Sequence, residues 1–283
     1  MGNVGVEDLM AVALAREVAD DDFVSHGSGV PLAGAALLLA RALHAPGVEF
    51  FYDGAITPAA RSLDELGSGA GALRGASGFM SQAQIIDFEL RGGCDLQFLR
   101  PAQIDSRGNV NVSLIGSLRE PRRRFHGIAV ADAMTVVRRV CLYATEHTPR
   151  VFVDRLDFRT GVGHAEDDAW RSSLRVPGGG PSKVITPLAT MDFGGPGRTL
   201  RLVSLMPGAT VEQVREGTGC ELAIPASVPA FALPSAAELT ALNAVDPHGS
   251  RGLEFPALRA AARDRRARAA AESPRQDSTD GPV

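Results

Sequence analysis

Residues 23–54 read FVSHGSGVPLAGAALLLARALHAPGVEFFYDG, and the order of their physical character decides the architecture. Phe23-Val24 is a short apolar piece that runs into the glycine-containing stretch Ser25-His26-Gly27-Ser28-Gly29-Val30-Pro31. Residues 32–43 are almost all apolar and strongly helix-forming, with Pro31 placed where a first helical residue tolerates its missing N–H. Val48 to Tyr52 is a second apolar strand that stops at Asp53-Gly54. Strand, glycine loop, buried helix, strand is the opening of an α/β fold, an open and mostly parallel sheet with helices on both faces.

Outward from this unit, residues 7–19 read as a helix, with Leu9, Val12, Ala13 and Leu14 near the i, i+3, i+4 spacing. Residues 57–80, rich in Gly, Ala and Ser, read as loop and helix, Gln82–Leu90 as a helix, and Cys94–Leu99 as a strand. Strands are expected at 134–144, 150–154, Val184–Met191 and Leu200–Leu205, with a glycine-rich segment around Trp170 between 160 and 182. Thr210 is the expected N-cap of a short helix, and another helix is expected at 235–243 after Pro225, Pro229 and Pro234. Residues 1–250 form one domain on this reading. Residues 251–283 stand apart as an Ala/Arg helix at 256–271, solvated and frayed, and a disordered end at 273–283.

Composition removes whole function classes. A chain of 283 residues with 45% hydrophobic and 22% charged residues is globular rather than disordered. A net charge of −4 argues against a broad nucleic-acid-binding face. Of 29 basic residues Lys183 is the sole lysine, and it sits in no phosphate-loop pattern, so Schiff-base, pyridoxal and P-loop chemistry lose their essential residue. Cys94, Cys141 and Cys220 share no C-x-x-C spacing, so neither a disulfide framework nor a metal site is expected, and the usage suits a reducing cytoplasm. The first residues carry Glu7 and no basic run, and no apolar stretch reaches about 18 residues without charge; neither a leader nor a membrane span is expected.

Four stretches could carry chemistry. Gly27, Ser28 and Gly29 precede a helix whose first N–H groups and positive dipole end suit a phosphate, a carboxylate or an oxyanion, although a tight turn explains them equally well. His26 beside them is a base or a packing residue. Tyr52-Asp53-Gly54 closes the next strand at its carboxyl end, where ligands of open α/β sheets gather; a plain turn is the alternative. Ala102-Gln103-Ile104-Asp105 and Gly108-Asn109-Val110-Asn111 read either as a reverse turn or as a polar network beneath a site. The run Arg122, Arg123, Arg124 suits phosphates, or else a solvated face.

Taken together, Ser25–Leu32, Ala102–Asp105 with Gly108–Asn111, and Arg123-Arg124-Phe125 with Gly127 resemble the β subunit of heteromeric class I CoA-transferases of the glutaconate type. Arg150–Val153, Asp192–Pro196 and Val203-Ser204-Leu205 with Pro207-Gly208 look still more like the β subunit of the steroid-ring-opening CoA hydrolase of the same superfamily. The resemblance spans roughly residues 7–250. It implies the fold shared by CoA-transferases and sugar-phosphate isomerases, an α-type partner subunit in a heterodimer or heterotetramer, and an acyl-CoA site at their interface. It implies coenzyme A only as part of the substrate, no metal and no further cofactor, and a place in steroid or aromatic acid catabolism.

Such transferases use a β-subunit glutamate near the end of the second strand as nucleophile. Here that position holds Tyr52, with Asp53 one place later. The catalytic candidates are therefore Asp53 and Tyr52. Gly27, Ser28, Gly29, Ala102 and Gln103 are the expected oxyanion and substrate-binding residues, supported by His26, Asn109 and Asn111. Loss of the glutamate tilts the expectation towards hydrolytic ring opening, with CoA transfer and a non-catalytic scaffold subunit as the alternatives.

Overall fold

In the computed structural model, residues 4–26, 29–52, 54–67, 73–125, 127, 130–165, 169–175 and 178–272 are described. Among them runs a nine-stranded sheet. Its centre is parallel: β1 (Phe23–His26) lies between β2 (Glu49–Tyr52) and β5 (Leu96–Leu99), and β5 leads on to β10 (Arg139–Tyr143) and β11 (Pro181–Ile185). Antiparallel strands finish both edges, β3 (Ala55–Ile56) and β4 (Gly78–Phe79) beyond β2, β12 (Ala189–Asp192) and β13 (Arg201–Leu205) beyond β11. Two hairpins stand off the sheet, β6 (Gln103–Ile104) with β7 (Val110–Asn111), and β8 (Leu114–Gly116) with β9 (Pro121–Arg124).

The strand alternation sorts the apolar residues into two cores. Val24, Cys141, Tyr143 and Ile185 face one, and their neighbours Phe23, Val140, Leu142 and Val184 face the other. The first core is closed by α1 (Val6–Ala15), α2 (Pro31–Leu43), the helix Ala236–Val245 and the 3-10 turn Ser250–Glu254. Residues 32–40 of α2 are all buried, which is why that stretch reads as apolar on every side. The second core takes Ile85 from the helix Gln82–Leu90, Met134 from the helix Val130–Val136, and Val214 from the helix Val211–Gly217. The open, mostly parallel sheet with helices on both faces is as expected.

Local chemistry explains the elements that read correctly. Gln82–Leu90 starts where Ser81 accepts the Gln84 N–H, and the Gln84 side chain returns to the Ser81 N–H. Thr210 with Gln213 and Ser235 with Glu238 repeat that reciprocal cap. Other expectations need correction. The stretch 134–144 is not one strand but the end of the helix Val130–Val136 followed by β10; its apolar run fits a buried helix as well as a strand. Residues 150–154 make only single bridges, Phe152 to Ile104 and Val153 to Gly219. Val184–Met191 is a hairpin folded at Pro187, not a single strand. The first helix ends at Ala15 rather than 19. Arg251, Glu254 and Phe255 are buried, so the core extends past residue 250 into the segment read as a separate tail. The tail helix, Arg259–Glu272, docks through the buried Ala262 and is otherwise largely exposed. The end read as disordered, 273–283, lies outside the described residues.

Candidate functional site

The chain leaves β1 for β2 on one side and later returns to β5 on the other, so the strand order reverses between β1 and β5. Such a reversal opens a crevice beyond the carboxyl ends of the strands, where loops diverge instead of packing. A cleft of about 1040 Å3 lies there, lined among others by Val30 after β1, Arg100–Gln103 after β5, and Ala144–Glu146 after β10. A smaller cavity of about 280 Å3, lined by Gly29, Pro31, Tyr52, Leu63 and Leu253, adjoins it. Val30, Arg100, Glu254 and Arg259 line both.

Gly29 has φ +69°, a left-handed conformation that favours glycine, and it turns the chain from β1 into α2. Gly27, Ser28 and Asp53 lie outside the described residues. Tyr52 ends β2 and lines the smaller cavity, with its ring 5.4 Å from that of His26. His26 is buried at the end of β1, where it packs against Tyr52. Gly54, at φ +95°, belongs to the turn that pairs Tyr52 with Ala55.

Two main-chain N–H groups near the cleft are engaged within the fold. The Leu32 N–H, in the first turn of α2, donates to Glu254 Oε1 at 2.8 Å. The Ala102 N–H donates to Asn111 O at 2.9 Å within the hairpin, so the expectation for that amide is corrected. Gln103 Oε1 accepts from Asn111 Nδ2 at 2.7 Å and from the Asp157 N–H at 3.0 Å. The Asp157 contact can only be made to an oxygen, which fixes the amide orientation and leaves Nε2 as the donor end for the cleft that Gln103 lines.

The two readings of residues 102–111 each hold for half of it. Gln103 and the fully buried Asn111 form a polar network, Asn111 also accepting the Ser113 and Leu114 N–H groups. Asp105 and Asn109 form a turn, in which Asp105 Oδ1 accepts the Arg107 and Asn109 N–H groups. Asn109 Oδ1 accepts from Gly163 N, so Asn109 supports the hairpin and does not line the cleft. Of the arginine run, Arg122 and Arg123 line the larger cleft, whereas Arg124 Nη2 lies 3.4 Å from Leu118 O.

Sequence reasoning missed two contributors. Glu254 returns from the C-terminal segment into both cavities, and Arg100 pairs with it at 3.2 Å. The only cue was a charged residue inside the apolar triplet Leu253-Glu254-Phe255. The other contributor is His147, which anchors the cleft-lining stretch Ala144–Arg150 from behind. Its ring nitrogens lie 2.8 Å from Thr186 Oγ1 and 3.0 Å from Thr218 Oγ1, and its ring stacks on Phe152. Burial lowers the His147 pKa to about 4. Because the unfolded chain takes up a proton near 6.5 and the folded one does not until about 4, stability is full above the first value and falls as pH drops through the second. The loss reaches on the order of 3 kcal/mol. Thermal melting between pH 7 and 4 is expected to show this decline, and His147→Gln to flatten it; an identical slope in the variant would exclude His147 as the cause.

The model of the family described as Coenzyme A transferase matches residues 8–217. The chain belongs to the Coenzyme A transferase family. It is 33% identical to the B subunit of 3-oxoadipate CoA-transferase of Pseudomonas knackmussii over 261 residues, 90% of this chain and 100% of the relative. It is 35% identical to the cholesterol ring-cleaving hydrolase IpdB subunit of Rhodococcus jostii over 153 residues, 54% of this chain and 60% of that one. Among solved structures, the decarboxylase AibA/AibB superposes with a TM-score of 0.77 at 27% identity, covering 89% of this chain and 99% of that one. IpdAB of Rhodococcus jostii follows at 0.75 and 28%, covering 89% and 99%. Among the described residues no helix is long and apolar enough to cross a membrane.

Proposed function

We propose that this chain is the β-type subunit of a heteromeric enzyme that binds an acyl-CoA thioester in the cleft beyond β1, β5 and β10, and that the complex opens a ring carbon–carbon bond of a cyclic CoA ester with water. The observation that carries the choice of reaction is Tyr52 at the cavity end of β2, where a CoA-transferring relative is expected to present a glutamate. A phenol with an ordinary pKa near 10 is a poor carrier for acyl exchange. Tyr52 instead walls the smaller cavity beside His26.

In the reaction, water adds to a ring carbonyl and gives its proton to a base supplied by the α-type subunit. The tetrahedral oxyanion collapses to a carboxylic acid as the ring carbon–carbon bond breaks. The electron pair leaves on the carbon next to a second carbonyl, as an enolate, and that carbon is then protonated. Gln103 Nε2 and the Arg100 guanidinium are the donors this chain aims at the oxyanion. Arg122, Arg123 and Arg150 on the wall of the larger cleft supply cations for the phosphates of coenzyme A. A structural neighbour that is a decarboxylase and a relative named a ring-cleaving hydrolase support chemistry other than CoA exchange on this scaffold.

Transfer of CoA to a free acid is the second reading, favoured by the match along the whole length of a CoA-transferase relative. Co-purification with the α-type subunit and incubation with cyclic and open-chain acyl-CoA esters in 18O-water, with and without free dicarboxylic acids, separates the two. Label in the new carboxylate of a ring-opened product, with CoA still attached, is the expected result. Movement of CoA onto the added acid without label would replace hydrolysis by transfer, and no turnover of any ester would reduce the chain to a scaffold.

A further inference from the structure

Glu254 lies outside the stretch matched by the family model, yet it stands at the meeting point of the two cavities. Its side chain is only 3% exposed. Oε1 accepts the Leu32 N–H at the start of α2, and Oε2 accepts the Tyr143 hydroxyl at 3.1 Å and lies 3.2 Å from Arg100 Nε. Its main-chain carbonyl accepts from Thr145 Oγ1, on the loop after β10. One carboxylate thus ties together the helix that follows the glycine loop, the ends of β5 and β10, and the C-terminal segment. The guanidinium it holds is about one third exposed and lines both cavities. Engaged by two hydrogen-bond donors and an arginine, and almost wholly buried, the carboxylate is badly placed to attack a substrate itself.

We propose that Glu254 is a positioning residue: its charge fixes the Arg100 guanidinium at the junction of the two cavities, where Arg100 stabilises the oxyanion formed when the substrate carbonyl is attacked. This rests on the acyl-CoA reading above. An arginine anchored through Nε keeps its two Nη groups in a fixed plane, which costs little reorganisation when charge develops. Arg100 after β5 and Tyr143 on β10 act on the carboxylate directly, and Asp64 and Arg259 are the other charged residues that line the smaller cavity. Burial raises the Glu254 pKa above the usual carboxylate range, opposed first by Arg100. Lowering the pH therefore protonates Glu254 and releases Arg100 before ordinary surface carboxylates titrate.

The test uses the complex with its α-type subunit and the variants Glu254→Gln, Arg100→Gln and both together. Gln at 254 keeps an oxygen for the Leu32 N–H, and a melting temperature near that of the parent confirms folding; Arg100→Lys is the second probe, since it keeps charge without the Nε contact. The expected result is a fall in kcat of tenfold or more for Glu254→Gln with KM within about threefold. The double variant should be no slower than Arg100→Gln alone, and the acid limb of the kcat profile should lie at lower pH in Glu254→Gln than in the parent, because only the partner's base then titrates. Unchanged kcat in Glu254→Gln, independent losses that multiply in the double variant, or an acid limb at the same pH as in the parent would each overturn the proposal. A parent complex that consumes no acyl-CoA would overturn the acyl-CoA reading and this inference with it, before any variant is made.

Discussion

Gln103→Glu in the assembled enzyme is expected to lower kcat/KM by about a hundredfold or more while leaving the fold intact, the loss typical of one missing oxyanion donor. The two ends of the amide have different tasks. The oxygen is structural, accepting from Asn111 Nδ2 and the Asp157 N–H. A carboxylate keeps both of those bonds, removes the Nε2 donor and places negative charge where negative charge must develop. Gln103→Leu is expected to lose activity too, but also about 1–3 kcal/mol of stability, because the Asp157 N–H then faces an apolar side chain. Steady-state kinetics beside thermal melting separates the two variants. Activity in Gln103→Glu within threefold of the parent would remove Gln103 from the site.

Arg251→Ala carries the largest expected effect on stability. Arg251 bonds Asp8 through Nε at 2.8 Å, Asp246 through Nη1 at 2.9 Å and Asn243 through Nη2 at 3.0 Å, with 8% of its side chain exposed. The Asp246 side chain is 1% exposed, so deleting the arginine leaves a buried carboxylate without its cation. Breaking a buried pair from one side costs roughly 3–5 kcal/mol, and for a chain of this size that lowers Tm by on the order of 10 °C. The clasp binds α1 to the segment that carries Ser250, Leu253 and Glu254 into the smaller cavity. Heat inactivation should therefore follow the same shift. Asp8→Asn, which leaves Asp246 paired, is expected to cost clearly less; a Tm within about 2 °C of the parent for Arg251→Ala would refute the clasp.

The fold was legible where the chain's chemistry is local. An all-apolar helix behind Pro31, a glycine able to turn at positive φ, and strands that run into turn residues are readable one after another, and they gave the parallel centre of the sheet. Reading failed where an apolar run serves two periods at once, as at 134–144, where buried helix and buried strand look alike until packing decides. It failed again at Pro187, read through as strand although it closes a hairpin. The site was half legible. Gly29, Ala102 and Gln103, picked out from sequence, do line the cavities, and Gln103 and Asn111 do form the network their composition suggested. What sequence could not supply is which donors remain free: the Ala102 and Leu32 amides look available until the hairpin and Glu254 claim them. Glu254 itself is separated from Leu32 by 222 positions and from Arg100 by 154, so no spacing rule could join them.

On this reading the subunit shapes and polarises an acyl-CoA site without forming a covalent bond to CoA at the end of β2. Intact-mass spectrometry of this chain, taken from the complex during steady-state turnover of an acyl-CoA and repeated after borohydride or hydroxylamine treatment, tests it most directly. The expected result is the unmodified mass throughout, while product accumulates. A chain carrying CoA, one reduced or hydroxylamine-modified at Asp53, or one acylated at Tyr52 before treatment, would contradict it.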